Sequence, residues 1–312
     1  MSGRPHVVAV GVFDGLHRGH RRIIDAGLAR AREAGGDVGL AVVTFDPHPD
    51  AVLGKAPAEL PLTPPREKAD LLRAWGVDRV HVLPFDRELA ALEPEAFVER
   101  FLTAPLGMIR LVTGADFALG RGRRGTVAYL EQLGAGAGFA VESVPLLTEH
   151  HGPVSSTRVR GALRGGDVGF AAELLGRPYA ITGRVVHGWG VGTKLACPTA
   201  NLDPLEPKFL PADGVYAGWV HIPGDGAGPG PAGARRGAVS LGLRPTFDGH
   251  DRALEVHVLD WANDLRGMDL RVEFTAWIRG QEKFDDAAAL VAAMGRDVAR
   301  CRDLLQEAGP SA

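Results

Sequence analysis

Short valine-rich apolar runs alternate with segments of helical spacing through the first half of the chain. His6–Gly11 is the first run and reads as a buried strand. It passes into Gly11–His20, after which Ile23, Ile24, Gly27, Leu28 and Ala31 fall at helical spacing and Gly35-Gly36 stops the segment. Val38–Phe45 is a second buried strand, so strand, glycine-rich turn, helix and strand form a βαβ unit. Helices are predicted over Pro65–Gly76, Glu93–Leu102 and Thr126–Leu133, with strands over Val80–Pro84, Met108–Gly114 and Phe139–Leu146 between and after them. This alternation predicts a doubly wound, mostly parallel sheet with ligands at the carboxyl ends of its strands. Gly11–His20 and Gly114–Gly120 both follow predicted strands directly, which puts both at that edge.

Ser155–Leu175 reads as helical and ends at Gly176-Arg177-Pro178, where the pattern changes. Ile181–His187, Gly214–Ile222, Arg236–Gly242, Ala253–Asp260 and Asp269–Trp277 are short, partly alternating and separated by turn signals, as in an antiparallel barrel or sandwich. Pro223–Arg235 is rich in Gly, Pro and Ala and reads as a disordered loop inserted in a hairpin. Asp285–Glu307 reads as a closing helix with Leu290, Met294, Val298, Cys301 and Leu305 on one face. The expected domains are 1–178 and 179–312, and no internal repeat is visible.

Composition narrows the classes. The 312 residues carry 35 Lys and Arg against 38 Asp and Glu, a net charge of −3, so there is no chain-wide basic field for nucleic acid. No apolar run reaches the roughly 20 residues that span a bilayer. Met1–Val10 lacks the features of a signal peptide. Two cysteines, Cys197 and Cys301, suit a reducing cytoplasm and provide no disulfide framework. The expectation is a cytoplasmic protein with small-molecule substrates, no nucleic-acid or membrane partner, and a monomeric or weakly homo-oligomeric state.

Phe13-Asp14-Gly15-Leu16-His17-Arg18-Gly19-His20 sits where a strand enters a helix. Gly15 and Gly19 let backbone come close to a phosphate, and the helix N-terminus supplies N–H donors with partial positive charge. His17 and His20 are three apart in the first turn, so both rings can face one ligand and donate to the equatorial oxygens of a pentavalent phosphorus. The bland alternative is a glycine-rich turn with two incidental histidines. Ser155-Ser156-Thr157-Arg158-Val159-Arg160 opens a later helix. Alone it reads as an N-cap; with Arg160 one turn in, it also makes a phosphate clamp of hydroxyls, amides and a guanidinium. Together the two motifs match the HIGH/ISSTxxR nucleotidylyltransferases, whose chemistry is in-line displacement at the α-phosphate of ATP without a covalent enzyme intermediate.

A second cluster follows in the other half. Gly188, Gly190 and Gly192 form a glycine-rich loop, followed by Thr193, Lys194 and then Pro198-Thr199-Ala200-Asn201. Such a loop can cradle phosphates, and Thr199 with Asn201, two apart, can ligate Mg²⁺ through oxygen on one side of an extended segment. In Ala253–Asp260, alternation puts Glu255, His257 and Leu259 on one side. Glu255 could then take a proton from a substrate hydroxyl. A solvent-facing strand residue is the commoner reading of such spacing.

The whole chain resembles one family, the bacterial bifunctional riboflavin kinase/FAD synthetases. The first half carries GVFDGLHRGH (11–20), TFDPHP (44–49), LTPPREK (62–68), TGADFALG (113–120) and SSTRVR (155–160). The second carries CPTANL (197–202), GVYAG (214–218), GLRPTF (242–247), LEVHVLD (254–260) and VEF (272–274). The resemblance implies a Rossmann-like α/β nucleotidylyltransferase domain followed by an antiparallel β-barrel kinase domain with a terminal helix. It implies phosphorylation of riboflavin to FMN with ATP, then transfer of AMP to FMN, giving FAD and pyrophosphate. His17, His20 and Arg160 would stabilise adenylyl transfer; Gly11, Phe13, Asp14, Gly15, Asp116, Ser156 and Thr157 would hold its nucleotide. Gly188, Gly190, Gly192 and Lys194 would hold the kinase nucleotide, Thr199 and Asn201 its Mg²⁺, and Glu255 would be the kinase base. The kinase loop departs from the family's GRxLGFPTAN at Thr193, Lys194, Ala196 and Cys197, Arg266 replaces an aromatic residue, and Leu119 replaces a ring in the first half. Those departures motivate an alternative: a specialised paralogue with intact adenylyl transfer but an impaired kinase, or one of altered specificity.

Overall fold

The computed structural model describes residues 4–54, 59–187, 198–228, 230–246 and 249–307. The chain divides into two compact units, 1–156 and 157–312. Gly188, Gly190, Gly192, Thr193, Lys194, Ala196 and Cys197 lie outside the described residues, as does Phe247.

The first unit runs β1 (His6–Val10), α1 (Arg18–Ala34), β2 (Gly39–Asp46), α2 (Pro49–Leu53), α3 (Pro65–Ala74) and β3 (Arg79–Pro84). It continues with α4 (Arg87–Ala90), α5 (Pro94–Phe97), α6 (Ala104–Leu106) and β4 (Met108–Gly114). Last come a small hairpin of β5 (Ala118–Leu119) and β6 (Gly125–Thr126), α7 (Val127–Ala137), β7 (Ala140–Val144), and a second hairpin of β8 (Thr148–Glu149) and β9 (Gly152–Pro153). Five strands form a parallel sheet in the order β3-β2-β1-β4-β7. Alternate strand residues serve opposite faces, and both faces are covered. Val8, Val10, Val43 and Leu111 pack with Phe97, Leu102 and Leu130; Val7, Ala9, Val42 and Val112 pack with Ile24, Ala31 and Leu72. Burial on both sides is why the central strands β1 and β2 and the second half of β4 appear in sequence as continuous apolar runs.

The helix expected over Glu93–Leu102 is less regular than its periodicity. Between α5 and α6, Val98–Thr103 is a π-helix. The Thr103 hydroxyl donates to the carbonyls of Val98 and Glu99, competing with the helical ladder just before Pro105.

The second unit opens with α8 (Ser156–Arg164), whose first residue closes the first unit, and continues with α9 (Val168–Leu175). The single helix expected over Ser155–Leu175 is therefore two. Gly166 has φ 77°, and Asp167 caps α9 by accepting from the Phe170 amide at 2.9 Å. Six antiparallel strands then close a barrel: β10 (Tyr179–Val186), β11 (Ala200–Pro204), β12 (Gly214–His221), β13 (Arg235–Thr246), β14 (Gly249–Val258) and β15 (Asp269–Gly280). Their order is β10-β11-β14-β13-β12-β15. Closure leaves no exposed edge. The sequence pattern omits β11, a five-residue strand that begins two residues after Pro198 and ends on Pro204.

The terminal helix α10 (Ala287–Glu307) lays Cys301 and Leu305 on Ala217 and Trp219 of the barrel. Arg279 and Asp297 form a bidentate pair between β15 and α10, at 2.9 and 2.7 Å. The loop read as disordered is hydrogen-bonded instead. Gly228 donates to Gly233 O and Gly230 to Ala234 O, both at 2.9 Å, and Arg235 pairs with Asp225 at 2.7 Å.

Candidate active sites

The strand order of the first unit runs one way from β1 to β3 and the other way to β4 and β7. The switch lies between β1 and β4, whose residues Val8 and Ala9 pair with Leu111 and Val112. The segments after β1 and β4 therefore leave adjacent strands at the same edge and open a crevice there. Gly11–His17 is the first of these segments and carries the histidine motif.

That turn is wound tightly. Phe13, Gly15 and Leu16 have φ of 50°, 82° and 44°. Two non-glycine residues in this region cost about 1–3 kcal/mol each. Burial offsets the strain, because Phe13 is 2% and Leu16 0% exposed, and a fully buried apolar side chain contributes about 1.5–3 kcal/mol. His17 caps α1: its Nδ1 accepts from the His20 amide at 3.3 Å. A neutral His17 ring that accepts at Nδ1 carries its proton on Nε2 and can donate from there. The His17 and His20 rings stack at 3.6 Å and 16°, and Phe13 meets His20 edge-on at 5.2 Å. A Cβ on Gly19 would stand 3.1 Å from His17 Cε1 and Nδ1, so glycine is what lets the imidazole lie against the helix start.

Asp14 is only 3% exposed, and its carboxylate accepts from the Leu62 and Thr63 amides at 2.9 and 3.2 Å. Its carbonyl accepts from the Ser156 hydroxyl at 2.7 Å, which ties Ser156 to the histidine turn. Lys68 is buried beneath the turn and donates to Val12 O at 2.9 Å and to the Thr44 hydroxyl at 3.4 Å. Burial lowers its pKa, while Asp14 and Asp46 pull it back up. Gly11 donates to Val43 O and lies against the Phe13 ring. Asp116 is exposed in the segment after β4, where its carbonyl accepts from Arg123 at 3.0 Å. Thr157 is exposed in the first turn of α8. Arg160 is 8% exposed and lies 5.6 Å over the Phe209 ring within the second unit. His17, His20, Phe13, Asp14, Gly15 and Ser156 thus come together, with Lys68 and Thr44 as supports that the motif reading did not single out.

The second site lies on the barrel wall. β11 and β14 pair Asn201 with Glu255, and β13 places Ser240 on the other side of Glu255. Cross-strand partners share a face. Leu254, Val256 and Val258 point into the core, so Glu255 and His257 point outward as alternation predicts. The Thr199 hydroxyl donates to Glu255 Oε2 at 3.4 Å. Asn201 is 7% exposed, and its Oδ1 has no hydrogen-bond partner among the described residues. An unspent buried oxygen beside a hydroxyl and a carboxylate is the donor chemistry Mg²⁺ takes. Gln281 donates to the Ser240 hydroxyl and to Leu241 O at 3.1 and 2.6 Å, a contact that only the barrel register reveals. Among the described residues no group of three or more His, Cys, Asp or Glu could hold a metal ion.

Family models described as FAD synthetase and as riboflavin kinase match residues 1–158 and 175–305. The chain is 40% identical to the bifunctional riboflavin kinase/FMN adenylyltransferase of Pseudomonas fluorescens, covering 98% of this chain and 94% of that protein. It is 37% identical to the protein of the same name from Escherichia coli K12, with 95% and 92% covered. For the Bacillus subtilis protein of that name the identity is 33%, with 93% and 90% covered. A solved structure described as a macrolide-efflux protein from Streptococcus pneumoniae matches with TM-score 0.85 and 31% identity, over 96% of this chain and 95% of that one. Among the described residues of this chain, no helix is long and apolar enough to cross a membrane. Both halves, in order and over nearly their whole length, thus match the same two-part enzyme: the chain belongs to the bifunctional riboflavin kinase/FMN adenylyltransferase family.

Proposed function

We propose that this chain phosphorylates riboflavin to FMN in its barrel and adenylylates FMN to FAD in its parallel-sheet unit. The observation that carries the reading is the pairing of two assembled sites with family matches over both halves. One is the histidine turn at the β1/β4 switch, and the other is the Asn201–Glu255 pair on the barrel.

In adenylyl transfer, a phosphate oxygen of FMN attacks the α-phosphorus of ATP and pyrophosphate leaves. His17, through Nε2–H, and His20 donate to the phosphoryl oxygens as negative charge develops there. The α1 N-terminus adds its field, and Arg160 with the Ser156 and Thr157 hydroxyls holds phosphate groups. Asp14 and Lys68 act beneath the turn, keeping its strained backbone in register. Gly11, Phe13, Gly15 and Asp116 would bind the nucleotide.

In the kinase step, Glu255 accepts the proton of the ribityl 5′-hydroxyl as that oxygen attacks the γ-phosphorus and ADP leaves. Thr199 and Asn201 would hold Mg²⁺, which neutralises phosphate charge when bound. Gly188, Gly190, Gly192 and Lys194 would wrap the nucleotide phosphates. We take the functional modules as 1–178 and 179–312, so that Thr157 and Arg160 belong to the first reaction. We take the working form as a cytoplasmic monomer or weak homo-oligomer that binds neither nucleic acid nor membrane. The test is to supply His20→Ala and Glu255→Gln chains with Mg-ATP and each flavin separately. The first substitution should stop FAD formation alone and the second FMN formation alone; loss of both products in either variant overturns the division of labour.

A further inference from the structure

Pairing between β11 and β14 stops at Ala200 and Val256. The next residues outward, Thr199 and His257, fall on the face that carries Asn201 and Glu255. A side chain extends the connection there: His257 Nδ1 lies 2.9 Å from the carbonyl oxygen of Pro198. A carbonyl only accepts, so Nδ1 carries a proton and donates. Pro198 has no N–H of its own to add to the ladder, which leaves its carbonyl as the group that can be tied down. Thr199 follows directly, and its hydroxyl reaches Glu255 at 3.4 Å.

We propose that His257 is a positioning residue of the phosphorylation site, fixing the Pro198–Thr199 peptide so that the Thr199 hydroxyl and the Glu255 carboxylate face each other. The proposal rests on the kinase reading for the roles of Thr199 and Glu255. It assigns His257 no contact with substrate. A histidine that merely decorates the strand would make the same backbone contact by chance, and its loss would leave the reaction unchanged.

The nitrogen used decides the experiment. An asparagine amide reaches roughly where histidine Nδ1 sits, and a glutamine amide roughly where Nε2 sits. His257→Ala, His257→Asn and His257→Gln are made in the full-length chain. Two reactions are followed, phosphorylation of riboflavin and adenylylation of FMN. Amide hydrogen exchange of the segment 199–204 is measured without substrate. His257→Ala and His257→Gln should lower kcat/KM for Mg-ATP in phosphorylation by about tenfold or more, the range for removing a group that orients a ligand-bearing residue. Both should also speed exchange in 199–204. His257→Asn should restore rate and exchange to near the wild-type values, and adenylylation should be unchanged in all three. The proposal is overturned if His257→Ala keeps the wild-type rate and exchange, or if glutamine rescues as well as asparagine. It is also overturned if activity falls while exchange does not, because the imidazole would then act on substrate directly. Should the wild-type chain phosphorylate no riboflavin while exchange follows the stated order, the kinase reading fails and the structural role of His257 stands.

Discussion

Gly19→Ala separates stability from catalysis. Gly19 is the second residue of α1, where alanine gains up to about 1 kcal/mol of helix propensity over glycine. Its new Cβ would stand 3.1 Å from two atoms of the His17 ring, against 3.4 Å at the near limit of ordinary contact. The ring must therefore withdraw by about 0.3–0.5 Å, and at about 100-fold per ångström of misplacement that is a loss of roughly four- to tenfold. The same movement stretches the Nδ1 contact with the His20 amide, already 3.3 Å long, and disturbs the stacked imidazoles. Adenylylation of FMN, followed by chromatographic separation of FAD, should thus slow about four- to tenfold or more while the melting temperature holds or rises slightly. Riboflavin phosphorylation by the same sample is the internal control and should not change. Unaltered FAD formation would show that the position of His17 against the helix start does not matter to the reaction, and would refute the reasoning.

Other outcomes follow from single contacts. Asp297→Ala should cost about 2–3 kcal/mol in chemical denaturation, at or below the usual range for a broken buried pair because Arg279 keeps some solvent contact. Asp297→Asn, which keeps the shape, should cost less. The Cys301 thiol is pushed up to about 11 by burial, the largest influence on it. The folded chain thus holds a proton that the unfolded chain releases above about pH 9. The stabilisation is complete below pH 9 and is lost as pH rises toward 11. At pH 8, Cys301 should resist alkylation in the native protein and react once denatured, as read by peptide mass spectrometry. Lys68→Met should slow adenylylation while leaving phosphorylation intact, because Val12 O and the Thr44 hydroxyl lose the ammonium that holds the turn. Equal loss of both activities would point to global unfolding instead.

The sequence made the parallel sheet readable because its central strands are buried on both faces. Met108–Gly114 has the same ends in the pattern and in the fold, and His6–Val10 differs only by Gly11. The histidine turn was readable because glycine and histidine occur there at spacings a helix start can use. What lay hidden depends on contacts distant in sequence. Asp14 looks like a nucleotide ligand by its place in the motif, yet its carboxylate turns inward to amides some fifty positions away. Lys68 looks like a helix-surface lysine, yet it is 5% exposed and serves a backbone carbonyl. β11 is too short, and too hemmed by prolines, to register as a strand until β10 and β14 are beside it. The break between α8 and α9 was within reach, since Gly165-Gly166-Asp167 is a helix stop followed by a cap. In the barrel, alternation fixed the outward face of Glu255, but only the register shows that Asn201 stands opposite it.

The most direct measurement is a product assay on the full-length protein, run for the two steps separately with Mg-ATP. Riboflavin should yield FMN and ADP, and added FMN should yield FAD with one pyrophosphate released per FAD formed. A protein that forms no FAD from FMN, with or without pyrophosphate release, would contradict the assignment of the histidine turn to adenylyl transfer.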